Sequence, residues 1–129
     1  MHALTLRVYY EDTDLAGIVY YANYLKFIER GRTEWVRGLG IDQRQLRDSR
    51  GLVFAVRHLE ADYLRPARFD DLLTVETRVL RLTGARIVLA QEIFRRAEKI
   101  FAATVTLVCL TATGQPARLP AALAGLTGS

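Results

Sequence analysis

One long amphipathic helix followed by four strand-like segments restricts this chain's fold more than any other feature. From about Tyr21 to Leu39, the apolar residues Leu25, Ile28, Trp35, Val36 and Leu39 fall on one helical stripe, while Lys26, Glu29, Arg30 and Arg37 lie mostly elsewhere. Gly31 and Arg32 interrupt the stripe. A helical glycine costs about 1 kcal/mol of propensity, so Gly31 predicts close packing against another backbone. Gly38 and Gly40 end the helix, and Asp42 is placed to cap a short second one near Asp42 to Asp48. A single apolar helix stripe needs a broad surface to bury against, and a curved antiparallel sheet supplies one.

The strands are read from alternation. Leu4 to Tyr10 alternates apolar and polar residues ahead of the helix. Phe54 to Leu64, Leu72 to Leu82, Arg86 to Arg96 and Ile100 to Thr111 follow as four consecutive antiparallel segments, with Thr83-Gly84 as a hairpin turn. Pro66 marks the end of the first of them. Ala112 to Gln115 reads as a further turn, and Leu119 to Leu126 as a terminal turn or short helix. With 129 residues and no repeat or linker, the chain is expected to form a single α+β domain over residues 1–129. A sheet wrapped round one helix leaves edges exposed, so a homodimer at least is expected, with a tetramer as a dimer of dimers left open.

Charge and cysteine content narrow the setting. The formal charge is +4, and nearly all of the positive charge is Arg. Arginine suits phosphate groups through its planar fork. No dense basic run with interleaved aromatics appears, so nucleic acid is not the expected partner. The one cysteine, Cys109, lies in an apolar strand-like run and reads as a small core residue. The start, MHALTLRVYY, lacks the pattern of a signal peptide, and no apolar run is long enough to span a bilayer. A cytoplasmic protein without membrane insertion is expected.

The segment from Val8 to Trp35 carries the chemistry. It sets three acids, Glu11, Asp12 and Asp14, at the end of a strand, then a Gly-containing apolar turn, then the start of the long helix. A helix N-terminus offers unpaired N–H groups and partial positive charge. An ionised carboxylate held near it can attack a carbonyl or direct water. Three acids in four residues cannot all crowd one reaction centre cheaply, so Glu11 and Asp12 are read as solvated or structural.

The residues Tyr10-Glu11-Asp12-Thr13-Asp14 and Gly17-Ile18-Val19-Tyr20-Tyr21-Ala22-Asn23-Tyr24-Leu25 resemble the signature of hotdog-fold acyl-CoA thioesterases. Within that fold the segment most resembles the 4-hydroxybenzoyl-CoA thioesterase family, and within it the thioesterases associated with the bacterial Tol-Pal system. The resemblance continues through Glu29 to Glu34, Ala61 to Asp71 and Ala102 to Val108. It implies a hotdog fold, an antiparallel β-sheet wrapped around a long central α-helix, with sites at a dimer interface. It also implies hydrolysis of an acyl-CoA thioester without a cofactor, CoA being part of the substrate.

The same resemblance places the catalytic aspartate on Asp14, as nucleophile or general base. It makes the Tyr21 backbone N–H the donor that polarises the thioester carbonyl. Where many Tol-Pal-associated members carry His, this chain carries Tyr21, as in the hydroxybenzoyl-CoA branch, which argues against an imidazole-assisted mechanism. Gly17 is expected to allow close approach of the chain or a positive φ, and Ile18 and Val19 to line the acyl pocket. Asn23 is read as a helix cap by default, with a hydrogen bond to the loop as the alternative. Pantetheine is expected along Phe54 to Arg57, which makes Val56 and Arg57 contacts, and Arg86 is the foremost candidate for the CoA phosphates beside Arg57, Arg65 and Arg68. With only His2 and His58, a histidine-rich metal site is not expected, and His58 reads as structural or surface. No nucleophile-elbow serine or phosphate-cradling glycine loop is present. Two other readings remain: a non-catalytic acyl-CoA or acyl-carrier-protein binding protein, and a hotdog dehydratase, which the lack of a histidine near the motif disfavours.

Overall fold

Helix α1 (Asn23–Gly38) buries Tyr24, Phe27, Ile28, Gly31, Trp35 and Val36. These positions follow the i, i+3, i+4, i+7 spacing of one helix face. The buried stripe is turned relative to the one expected: Tyr24 is on it, while Leu25 stays exposed. Gly31 does not interrupt the stripe but sits on it. A Cβ there would lie 2.7 Å from Val75 Cγ1 and 3.3 Å from Gln91 Nε2. The close approach is to side chains of the sheet rather than to another backbone.

The computed structural model describes residues 1–123. The elements run β1 (His2–Arg7), a 3-10 turn (Tyr10–Asp12), α1, α2 (Gln43–Arg50), β2 (Leu52–Tyr63), β3 (Leu72–Leu82), β4 (Arg86–Arg95), β5 (Glu98–Thr111), β6 (Pro116–Ala117) and a 3-10 turn (Ala121–Leu123). The turn or short helix expected over Leu119 to Leu126 corresponds to that last turn, and the final three residues of that span lie outside the described residues. Asp42 caps α2 as expected, its side chain accepting from the Gln45 N–H at 3.1 Å. The first strand is shorter than its alternation predicts. Asp12 Oδ2 accepts the Tyr9 N–H at 2.8 Å and the Asp12 N–H returns to the Tyr9 carbonyl. This local bonding draws the chain out of the ladder into a turn.

The sheet is antiparallel in the order β1-β3-β4-β5-β2, with β6 beside β5. Strands β3, β4 and β5 form the expected meander. The first of the four consecutive strands, β2, does not join it beside β3; it crosses to the far side of β5. Alternation tells which face of a strand is buried but not which strand is its neighbour. Helix α1 lies across β1, β3 and β4, and α2 lies against β2. The core between helix and sheet holds Phe27, Ile28, Leu73, Val75, Ile87, Leu89, Ile93 and Phe101. Cys109 is fully buried in it, as expected.

Beneath Gly31 one polar cluster is buried and satisfied. The register pairs Thr77 with Gln91. Gln91 Nε2 donates to the Ile28 carbonyl at 2.8 Å and to Thr77 Oγ1 at 2.9 Å, and Gln91 Oε1 accepts from Arg32 Nη1 at 3.0 Å. Burial lowers the Arg32 pKa, against the opposing pull of Glu29. A buried amide with its donors and acceptor engaged fixes the helix over the sheet instead of weakening the core.

Candidate active site at the start of the central helix

The loop that carries Asp14 is a tight hairpin. Its legs meet in a bridge between Thr13 and Val19, and the Asp14 N–H donates to the Ile18 carbonyl at 2.9 Å. The Gly17 N–H closes the turn onto the Asp14 carbonyl at 2.9 Å, with Gly17 at φ +80°. That conformation favours glycine, as expected for Gly17. Asp14 is exposed in the single chain, and its Oδ1 accepts the Ala16 N–H at 2.9 Å. Among the described residues it forms no ion pair, so the carboxylate stands at the lip of the turn.

The hairpin is joined to the helix start through backbone atoms. The Tyr20 N–H donates to the Asp12 carbonyl at 2.9 Å, and the Asn23 N–H to the Tyr20 carbonyl at 2.8 Å. In a trans peptide the C=O and N–H point in opposite directions. The Tyr20 carbonyl points toward the helix, so the Tyr21 N–H of the same peptide points away from it. Among the hydrogen bonds of the described residues, none is donated by that N–H. Ala22 is the N-cap and has no capping side chain. The approach to the helix therefore presents the Tyr21 N–H as an unpartnered donor beside the acid loop. Asn23 is not the cap: its Nδ2 donates to the Asp12 carbonyl at 2.9 Å instead.

Aromatic rings build the wall behind this point. Tyr21 is exposed, and its ring lies near those of Tyr20 and Tyr63. Tyr63, at the end of β2, donates its hydroxyl to the Tyr21 carbonyl at 2.9 Å. Tyr24 stacks on Phe101 with centroids 5.3 Å apart, and its hydroxyl accepts the Ala67 N–H at 2.9 Å. Burial raises the Tyr24 and Tyr63 phenol pKa values. Arg95 clamps the loop below, bonding the Pro66 carbonyl and Asp71 at 2.9 Å each and Glu98 at 2.7 Å. Those carboxylates raise its pKa.

The other expected contacts are spread over the chain. Ile18 is half-buried and bridges to Arg68, while Val19 is 2 % exposed and packs into the core. Val56 is exposed on β2, the sheet's long edge strand, and helps line a cleft of about 140 Å³ between α1 and β2 with Glu29, Arg32, Val36 and Phe54. Arg57 is the extra residue of a β-bulge between Val56 and His58. His58 is at the surface and faces Glu60 at 3.2 Å. Arg86 lies with Arg81 and Thr83 in a groove of about 340 Å³ at the β3–β4 turn. It pairs with Val108, which pairs with Ala55 on its other side. Two strand spacings, about 10 Å, thus separate Arg86 from Ala55. No cluster of His, Cys, Asp and Glu suited to a metal occurs among the described residues.

Comparison with known proteins gives the chain's family. The Thioesterase superfamily model matches residues 16–102. Acyl-CoA thioesterase YbgC of Haemophilus influenzae is 46% identical over 105 residues, 81% of this chain and 77% of that protein. Acyl-CoA thioester hydrolase YbgC of Escherichia coli O6:H1 is 40% identical over 106 residues, 81% of this chain and 78% of that protein. The crystal structure of a "Probable Thioesterase" from Bartonella henselae superposes with a TM-score of 0.88 at 42% identity, covering 92% of this chain and 98% of that one. By sequence and by fold, the chain belongs to the thioesterase superfamily, on the hotdog architecture.

Proposed function

We propose that the chain hydrolyses acyl-CoA thioesters with Asp14 as the reacting carboxylate and the Tyr21 N–H as the donor to the thioester carbonyl. Acyl-CoA thioester hydrolysis is the activity carried by its named relatives. The observation that carries the residue assignment is the joint between Asp14's hairpin and a helix start whose Tyr21 N–H has no partner among the described residues. As the carbonyl carbon becomes tetrahedral, its oxygen gains charge facing that N–H. One such donor is worth about 2.7–4 kcal/mol of barrier. In the general-base route Asp14 takes a proton from water, the water oxygen bonds to the carbonyl carbon, and the C–S bond breaks to release CoA thiolate, which is then protonated. In the nucleophilic route an Asp14 carboxylate oxygen bonds to the carbonyl carbon, the C–S bond breaks and CoA thiolate leaves to be protonated, and water then cleaves the resulting anhydride to the free acid and the restored carboxylate.

The remaining assignments belong to the same proposal. Residues 1–129 act as one domain. A second copy pairs along the open edge of β2 and completes the site over the exposed Asp14. Gly17, Ile18 and Val19 shape the acyl end, Val56 and Arg57 follow the pantetheine, and Arg86 meets the phosphates. The reaction takes place in the cytoplasm, a reducing setting that the unpaired, buried Cys109 suits. Thiol release from short-chain, long-chain and aromatic acyl-CoAs tests the function. Asp14→Asn should abolish turnover while leaving the fold intact, and turnover at the wild-type rate would refute the assignment.

A further inference from the structure

We propose that Asn23 is a positioning residue that holds the Asp14 hairpin at a set distance from the Tyr21 N–H. The inference rests on the reading of Asp14 and Tyr21 as the reacting pair. Asparagine at the start of a helix normally serves as its cap, bonding forward to the N–H groups of the first turn. Here it stands one residue inside the helix, after Ala22, and its side chain bonds backward over eleven residues to the Asp12 carbonyl at 2.9 Å. Asn23 thus turns its side-chain amide to the acid loop and leaves the Tyr21 N–H without a partner among the described residues.

Its two bonds reach the two halves of the site. Through its backbone N–H it holds the Tyr20 carbonyl at 2.8 Å, and so orients the peptide that carries the Tyr21 N–H. Through Nδ2 it holds the carbonyl of Asp12, two residues before Asp14. Asp12 and Tyr20 are themselves bonded at 2.9 Å and form the base of the hairpin, whose Thr13–Val19 bridge and Asp14–Ile18 bond make it move as one piece. The Asp12 carbonyl accepts both Tyr20 N–H and Asn23 Nδ2, using both of its lone pairs. Removing the amide leaves the hairpin closed but frees its base to swing relative to the helix. Errors of this kind in the placement of a reacting group are paid in the chemical step more than in binding.

The test compares wild type, Asn23→Ala, Asn23→Asp and Asp14→Asn with butyryl-CoA and 4-hydroxybenzoyl-CoA as substrates and a non-hydrolysable S-butyl-CoA thioether as binding probe. Asn23→Ala removes the donor; Asn23→Asp keeps the shape and puts an acceptor in its place, so it decides the matter where the alanine variant does not fold. The expected result is a kcat at least roughly tenfold lower in the folded variants, with KM and the thioether Kd within about threefold of wild type. Folded variants with kcat within about threefold of wild type overturn the proposal. So does a thioether Kd that weakens in step with kcat, because a general loosening of the site moves both. Lost turnover in Asp14→Asn with intact turnover in the Asn23 variants defeats this proposal alone. Full turnover in Asp14→Asn defeats the reacting-pair reading, and this inference with it.

Discussion

Tyr63 Oη donates a hydrogen bond to the Tyr21 carbonyl oxygen at 2.9 Å, joining the end of the edge strand to the residue just before the N-cap of the central helix, 42 positions earlier. The ring that delivers this hydroxyl is held edge-on against Tyr24 and Phe101, with centroids 5.3 and 5.0 Å away. Tyr63→Phe keeps the ring and removes the bond. The expected loss of stability is about 0.5–1.5 kcal/mol, near the low end because the group is exposed. The bond holds the Tyr21–Ala22 peptide, the neighbour of the one that carries the Tyr21 N–H, so its loss should lower kcat several-fold while KM changes little. Urea unfolding and steady-state kinetics on the same preparation check both, and an unchanged kcat would show that the Tyr21 backbone is held without this bond.

Gly31 allows α1 to sit directly on the paired Thr77 and Gln91. Gly31→Ala gains about 1 kcal/mol in helix propensity. The new methyl meets Val75 Cγ1 at 2.7 Å and Gln91 Nε2 at 3.3 Å. Val75 is fully buried and Gln91 is tied to Ile28, Thr77 and Arg32, so neither side chain can move aside freely. Overpacking of this kind costs about 1–3 kcal/mol. The clash is expected to win, lowering the urea midpoint; a raised midpoint would mean that the helix can lift off the sheet without cost.

What could be read from the sequence was what lies close along the chain. Asp14, Gly17 and Tyr21 fall within eight residues, and their turn and helix start follow from local backbone chemistry. The helix and the strand ranges come from periodicity. The contacts that hold the site do not: Tyr63 to Tyr21, Arg95 to Asp71 and Gln91 to Arg32 join residues 42, 24 and 59 positions apart. Each depends on strand order, and the position of β2 beyond β5 has no local signature. The place of Tyr24, in an aromatic pocket or in the core, was open from the sequence for a related reason. Its hydroxyl suggests a pocket or surface residue, yet it is 3 % exposed because Ala67 satisfies that oxygen inside the core. Asn23 was visible in the motif, but whether its amide turns forward or backward depends on where Asp12 lies.

Two buried acids predict how stability responds to alkali. Burial raises the pKa of the Cys109 thiol and, as the largest influence, that of the Tyr24 phenol. In the unfolded chain these groups ionise near about 8.5 and about 10. Below those values both states hold the proton and the stabilising contribution is complete. As pH rises past them the unfolded state loses protons that the folded state keeps, so stability falls through the folded pKa. The slope approaches about 1.4 kcal/mol per pH unit for each group. Stability measured in urea from pH 7 to 10.5 should therefore decline above about pH 8.5. Cys109→Ala should flatten the first part of that decline even though the cavity lowers stability at every pH. Parallel curves for the two proteins would show that the thiol does not contribute.

The groove at the β3–β4 turn makes the last distinction, between the nucleotide and the acyl half of the substrate. Arg86 and Arg81 share it, and neither forms an ion pair among the described residues. Two free guanidinium groups beside Thr83 suit the phosphates of CoA. Loss of one charge-assisted hydrogen bond, about 1.5 kcal/mol, corresponds to a KM roughly tenfold higher. Arg86→Ala is expected to show that increase for an acyl-CoA at low salt and little change for the matching acyl-pantetheine, which lacks the nucleotide. Exposed charges are screened, so added salt should raise the wild-type KM for acyl-CoA toward that of the variant. An equal rise for both substrates would mean that Arg86 acts by holding the hairpin rather than by meeting phosphate. The acyl-pantetheine control separates these outcomes because it keeps the thioester and the pantetheine unchanged and lacks only the nucleotide.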